Sequence, residues 1–226
     1  SSSRNWTCPT LTPPPTSAED FPHDGKKFST LWKKSAAVFH AVEKFLPRFR
    51  NREAWLQLLR LPNLLTVPGD ILAGFLLVPR ARVTGSDWAQ LLLAIPAGIL
   101  LYAAGLILND LFDYAVDLRD RPLRPLPSGK VYRESAAAAA LILLWIAAFL
   151  AAFFDALPVA IPLILCIILY DIGLKRIAYA GPALMGACRA GNLLLGAAAA
   201  CEGNCPSLIP AAAALALGLY IAVVTH

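Results

Sequence analysis

An apolar run from about Trp88 to Leu108 ends in Asn109-Asp110-Leu111-Phe112-Asp113-Tyr114-Ala115-Val116-Asp117 and passes at once into an arginine-rich stretch, Leu118 to Lys130. The run is close to the ~20 residues a helix needs to cross ~30 Å of hydrocarbon. It therefore sets three carboxylates where a membrane helix meets water. On a helix turning ~100° per residue, Asp110, Asp113 and Asp117 fall at i, i+3 and i+7, within about 60° of one another, and Asn109 flanks that face. Like charges this close repel, and desolvation at a membrane boundary adds to the cost, so a cation must compensate. Clustered oxygens that leave coordination positions open suit Mg²⁺ when it also holds a substrate phosphate. The downstream arginines can take the remaining phosphate charge in bidentate fashion. A magnesium–diphosphate site is the economical reading. The bland alternative is a solvated acidic cap whose carboxylates pair with Arg119, Arg121 and Arg124.

Composition supports the membrane setting. Of 226 residues, 58% are hydrophobic and only 15% charged, which is not the balance of an ordinary soluble domain and predicts a polytopic membrane protein. The net charge of +5 is then read through its distribution, which sets topology, and not as a nucleic-acid footprint; no nucleic-acid partner is expected.

In chain order, residues 1–27 are polar and rich in Ser, Thr and Pro without an apolar period, and are expected to be a disordered tail. Residues 28–60 intersperse Leu31, Phe39, Val42, Phe45, Trp55 and Leu58 with Lys33, Lys34, Lys44, Arg48, Arg50 and Arg52. That pattern suits a basic amphipathic segment lying on an anionic bilayer, or alternatively a solvated linker. The bundle is expected over 61–226, with about six spans: Leu61 to Val78, Trp88 to Leu108, Ser135 to Phe154, Pro158 to Ile172, Ala180 to Ala200 and Pro206 to Val224. The first and fourth are short and need help from their flanks.

Basic residues choose the orientation. Arg48, Arg50, Arg52 and Arg60 precede the first span, Arg119 to Arg133 follow the second, and Lys175 and Arg176 follow the fourth. The other side carries Arg80 and Arg82 with Asp87, Asp155 and Glu202. A multi-pass integral membrane protein with its acidic motif on the cytoplasmic or equivalent side follows. On that side Tyr170 and Lys175 arrive from the fourth span. Asn63 and Asp70 share one face of the first span, and Arg189 and Asn192 one face of the fifth. A mid-span arginine needs a phosphate, water or an acid such as Asp70, Asp110 or Asp171. Gly186, Ala190 and Gly191 suit close helix packing. Cys201 and Cys205 could pair in an oxidising compartment; two free thiols are the expectation.

These residues resemble the UbiA superfamily of intramembrane aromatic prenyltransferases. Asn109, Asp110, Asp113 and Asp117 match its first signature, Asn-Asp-x-x-Asp-x-x-x-Asp, and Arg124-Pro125-Leu126-Pro127-Ser128-Gly129 its Arg-Pro-Leu-x-x-Gly trailer. Tyr170 and Lys175 match the Tyr-x-x-x-x-Lys element, and Pro62-Asn63 the Pro-Asn of the first span. The resemblance implies an all-α membrane protein, a multi-span helical bundle in which about six of a usual nine spans are present. It implies Mg²⁺-dependent transfer of a prenyl group from a prenyl diphosphate to an aromatic or other lipophilic acceptor within the lipid bilayer. Asp110, Asp113 and Asp117, with Asn109, would be the metal ligands. Asp110, Asp113, Asp117 and Lys175 would be catalytic, and Asn63, Asn109, Arg121, Arg124, Lys130, Tyr170, Arg176, Arg189 and Asn192 would bind substrate.

The family's second acidic motif, Asp-x-x-x-Asp, would fall beyond Thr225-His226. A fragment of a longer enzyme is the favoured expectation; the alternative is a non-catalytic UbiA-like membrane binding protein or scaffold. A CDP-alcohol phosphotransferase would need an Asp-Gly-x-x-Ala-Arg sequence, which the chain lacks. A transporter would not explain why acids and arginines gather at one interface.

Overall fold

The computed structural model describes residues 51–79, 85–201 and 208–225. The chain divides into two units at Pro47, and only the second, from Arg48, reaches the described residues. The tail 1–27, the amphipathic segment up to residue 50, Arg80, Arg82, Glu202 and Cys205 lie outside them.

Helix α1 is Arg52–Leu59, started by Asn51, whose side chain accepts the Ala54 N–H at 3.3 Å. It stops at Arg60, whose φ of 45° and ψ of 57° are left-handed, a conformation uncommon outside glycine. The first expected span is two pieces, α2 (Leu61–Leu64) and α3 (Val67–Leu76). Pro68 accounts for the break, because it has no N–H to return to the Leu64 carbonyl. Helix α4 (Gly85–Phe112) runs 28 residues, past the expected Leu108, and carries Asn109 and Asp110 on its last turn. Asp113, at φ −85° and ψ 0°, separates it from α5 (Tyr114–Asp120). Then come α6 (Arg133–Ala152), α7 (Leu157–Ile172), the short 3₁₀ turn η1 (Leu174–Arg176), α8 (Ala180–Ala199) and α9 (Leu208–Val224). Every element among the described residues is helical.

The main core joins Val67, Ile71 and Phe75 of α3 to Leu91, Ala94, Ala97 and Leu101 of α4, Ala147 and Ala151 of α6, Leu163 and Ile167 of α7, and Leu195 of α8. A second cluster lies under the acidic end: Ala54 and Leu58 of α1, Ile107 of α4, Leu126 and Val131 of the following loop, and Ala136 and Ala140 of α6. It fixes the α1 end and the arginine loop beside the last turn of α4, which is what positions the site.

The outward faces are apolar. On α6 and its C-cap, Leu141, Trp145, Phe149 and Phe153 are 65, 69, 51 and 64% exposed, while the inward Ala136, Ala140, Ala147 and Ala151 are fully buried. Large apolar groups outside and small ones at the helix contacts suit a lipid-embedded helix. By length and composition α4 and α6 could each cross a bilayer; 61–76, α7 and α9 are shorter apolar helices.

Glycines let α3, α8 and α9 touch through their backbones. A Cβ at Gly196 would overlap the Ile71 carbonyl oxygen, one at Gly74 the Leu193 carbonyl oxygen, and one at Gly186 the Gly218 carbonyl oxygen, whereas one at Gly69 would meet nothing. Gly196→Val is expected to cost about 3 kcal/mol, as overpacking against rigid backbone does. Thermal unfolding in detergent beside Gly69→Ala checks it; equal midpoints would count against this packing. Cys166 and Cys188 are free thiols. Cys201 is disulfide-bonded, which corrects the expectation of free thiols at that helix end.

Candidate functional site

The acidic motif stays together at one end of the bundle, but its carboxylates answer to two groups of cations. Asp110 and Asp117, only 5 and 3% exposed, belong to the first. Arg60 Nη2 donates to Asp110 Oδ1 at 2.7 Å. Arg124 Nη1 donates to Asp117 Oδ2 at 2.6 Å and stands 3.7 Å from Asp110 Oδ1. Asp113, at the helix break, belongs to the second. Lys175 Nζ donates to Asp113 Oδ2 at 2.7 Å and to Asn109 Oδ1 at 2.8 Å, and Arg176 Nη2 is 3.9 Å from Asp113 Oδ1. Repulsion among the acids is thus offset by cations from the α1 end, the loop after α5, and η1.

Lys175 and Arg176 reach the motif because Gly173 ends α7 and the single turn η1 brings both side chains back toward the last turn of α4. Lys175 Nζ also lies 3.9 Å from Asp171 Oδ1 and 5.9 Å from the Tyr170 ring centre, a cation–π distance.

Two hollows meet at Arg60. The outer, about 530 Å³, is lined by Gln57, Arg60, Asp110, Asp120, Arg121 and Arg124 with Pro122, Leu123 and Pro125. The inner, about 410 Å³, is walled by apolar side chains such as Leu106, Leu163, Ile167 and Ile221, and its polar lining includes Asn63, Asn109, Tyr170, Asp171, Arg189 and Asn192. Between α3 and α8, Arg189 grips Asp70 with two nitrogens, Nη2 to Oδ1 at 3.1 Å and Nε to Oδ2 at 3.0 Å, and donates from Nη1 to Thr66 Oγ1 at 2.8 Å. Of the acids open to Arg189 on sequence grounds, Asp70 is the one it pairs with.

Asn63, Asn109, Tyr170, Arg189 and Asn192 therefore share the inner cavity, and Arg121 and Arg124 the outer hollow. Lys175 joins the carboxylates to the α7 exit. Arg176 is 63% exposed at the rim. Lys130 is exposed and lines neither hollow. Arg60, read from sequence only as a basic residue that sets orientation, and Asp171, read only as a possible ion-pair partner of Arg189, are functional candidates that sequence reasoning did not place in the site. Arg60 could have been found as the last cation before the first span, and Asp171 as an acid one position after Tyr170 in an otherwise apolar helix.

The donor set fits Mg²⁺. Carboxylate and amide oxygens are hard ligands, and Asp110 and Asp117 already lie close enough to share the Arg124 cation. Among the described residues no three acid, His or Cys side chains converge into a ready cage.

Comparison with known proteins gives a consistent picture. Residues 71–226 match the model of the UbiA prenyltransferase family. Curated relatives include the digeranylgeranylglyceryl phosphate synthase of Methanoregula boonei, 35% identical over 132 residues, covering 58% of this chain and 47% of that protein. That of Saccharolobus solfataricus is 29% identical over 159 residues, covering 67% and 54%. A solved structure described as a digeranylgeranylglyceryl phosphate synthase in membranes is 26% identical with a TM-score of 0.63, covering 77% of this chain and 59% of that one. The chain spans about half the length of the curated relatives it matches.

Proposed function

The chain belongs to the UbiA prenyltransferase family, and from that premise we propose that it transfers a prenyl group from a prenyl diphosphate to a lipophilic acceptor within the bilayer. The observation that carries this reading is the position of Lys175 Nζ, 2.7 Å from Asp113 and 2.8 Å from Asn109. One cation there links the acidic motif to the wall of the inner cavity, so a diphosphate at the motif would place its allylic carbon beside the acceptor space.

Asp110, Asp113 and Asp117, with Asn109, would hold Mg²⁺, which when bound neutralises diphosphate charge. Arg60, Arg124, Lys175 and Arg176 supply donors to the diphosphate oxygens and stabilise the electron pair that leaves with them as the allylic C–O bond breaks. Arg121, on the outer hollow, would guide the anion inward. The apolar walls formed by Leu106, Leu163 and Ile167 shield the electron-poor allylic carbon from bulk water. In the membrane the chain is proposed to cross several times, with the motif on its positively charged, cytoplasmic-type side. The names of the relatives point to a geranylgeranyl donor.

The test is equilibrium binding of geranylgeranyl diphosphate to the chain in lipid nanodiscs, with Mg²⁺ or with EDTA. Binding is expected to be much tighter with Mg²⁺ than in EDTA; affinity unchanged in EDTA would remove the metal, and no binding in either would remove the proposal. Lys175→Ala is expected to weaken Mg²⁺-dependent binding about tenfold, the worth of a charge-assisted hydrogen bond. Wild-type affinity in that variant would take Lys175 out of the site.

A further inference from the structure

Among the described residues, Arg60 is the one that lines both hollows. Its backbone is fixed: φ 45° and ψ 57° place it in the left-handed region between α1 and α2, where a residue other than glycine is uncommon and must be held by its surroundings. Its side chain is held by less. Among the described residues it makes one hydrogen bond, Nη2 to Asp110 Oδ1 at 2.7 Å, and 35% of it is exposed. The other cations are tied more firmly, Lys175 to Asp113 and Asn109, and Arg189 to Asp70 through two nitrogens and to Thr66 through a third. The Asp110 oxygen that holds Arg60 also has Arg124 Nη1 at 3.7 Å and Asn109 Nδ2 at 3.5 Å. It therefore lies where the outer hollow, lined by Asp110 and Arg124, borders the inner one, lined by Asn109.

We propose that Arg60 is a latch on the passage between the hollows, shut by Asp110 in the metal-free chain and released when that carboxylate takes Mg²⁺. This rests on the magnesium–diphosphate reading above and adds a conformational step to it. Asp110 cannot serve the guanidinium and a metal equally, because a dication on the carboxylate cancels the charge that attracts Arg60 and repels the guanidinium itself. A long side chain with a single anchor then swings while its backbone stays in place. The diphosphate takes the freed guanidinium as a donor and fills the passage it leaves. Bulk water is thus kept from the inner cavity by the Arg60–Asp110 pair before loading and by the diphosphate after it. Arg124 is not the latch, since it lines the outer hollow alone and stays on Asp117 at 2.6 Å.

The experiment reads the passage through Cys188, a free thiol lining the inner cavity, against Cys166, a free thiol that lines neither hollow. The chain in lipid nanodiscs is treated with sulfonatoethyl methanethiosulfonate, an anionic thiol reagent that does not cross lipid, and the ratio of Cys188 to Cys166 modification is read by peptide mass. Arg60→Asn keeps a residue that tolerates the left-handed backbone but is too short and uncharged to pair with Asp110. Without metal it is expected to raise the ratio about tenfold over the wild-type chain, as loss of a charge-assisted hydrogen bond does. Arg60→Lys, which keeps the cation, should restore most of the slow labelling. Mg²⁺ alone should raise the wild-type ratio and leave Arg60→Asn unchanged, and Mg²⁺ with inorganic diphosphate should bring the wild-type ratio down again. A ratio in metal-free Arg60→Asn equal to that of the wild-type chain would overturn the latch. So would a wild-type ratio indifferent to Mg²⁺, or one that stays high with diphosphate, in a chain that binds geranylgeranyl diphosphate in a Mg²⁺-dependent way. If that binding is itself absent the earlier reading fails, and the metal-free comparison alone decides whether Arg60 shuts the passage.

Discussion

Asp110→Ala should lower Mg²⁺-dependent affinity for geranylgeranyl diphosphate by about a hundredfold or more, since loss of even an outer-shell partner of a metal ligand typically costs 10–100-fold. The control lies in the same titration. Asp110 neutralises Arg60 at 2.7 Å and shares Arg124 at 3.7 Å, so its removal leaves both guanidiniums free to attract an anion. In EDTA the variant should then bind the diphosphate as well as the wild-type chain or better. A purely structural role for Asp110 predicts the opposite, a loss of the same size with and without Mg²⁺. Glu134→Ala, an exposed acid at the start of α6, should change neither curve by more than about threefold.

The helix-forming apolar runs and the acidic motif were legible because each is local. Periodicity places Asp110, Asp113 and Asp117 on adjacent turns, and the structure keeps Asp110 and Asp117 near enough for one arginine to touch both. What period alone could not anticipate is the break at Asp113, which turns that carboxylate toward Lys175. The break in the first span is likewise a backbone effect, traceable to Pro68 once the helix is seen to restart at Val67.

Long-range partners were the less legible part. From sequence Arg60 counts only among the basic residues that choose an orientation, yet 50 residues downstream it meets Asp110. Its left-handed backbone turns the chain between α1 and α2. No spacing rule encodes that. Asp171 was hidden for a different reason: from sequence it is one of three acids open to Arg189, until burial and a vacant hydrogen-bond position set it apart.

Arg189 is where the structural and functional readings of an intramembrane charge can be separated by free energy. Its side chain and that of Asp70 are 19 and 11% exposed, so removing one member strands the other in a medium that solvates it poorly. Arg189→Met is expected to cost about 3–5 kcal/mol, the usual penalty for breaking a buried pair. Arg189→Met combined with Asp70→Leu should recover most of that, because two apolar side chains replace both charges and no orphan remains. Denaturation in mixed micelles, with helicity as the readout, measures the cycle. A single variant as stable as the wild-type chain would mean that water reaches Asp70, and the cavity could then not exclude water from the allylic carbon. If the double variant recovers stability and still binds geranylgeranyl diphosphate normally, the pair serves to hold α3 against α8, leaving the acidic motif and its cations as the diphosphate site.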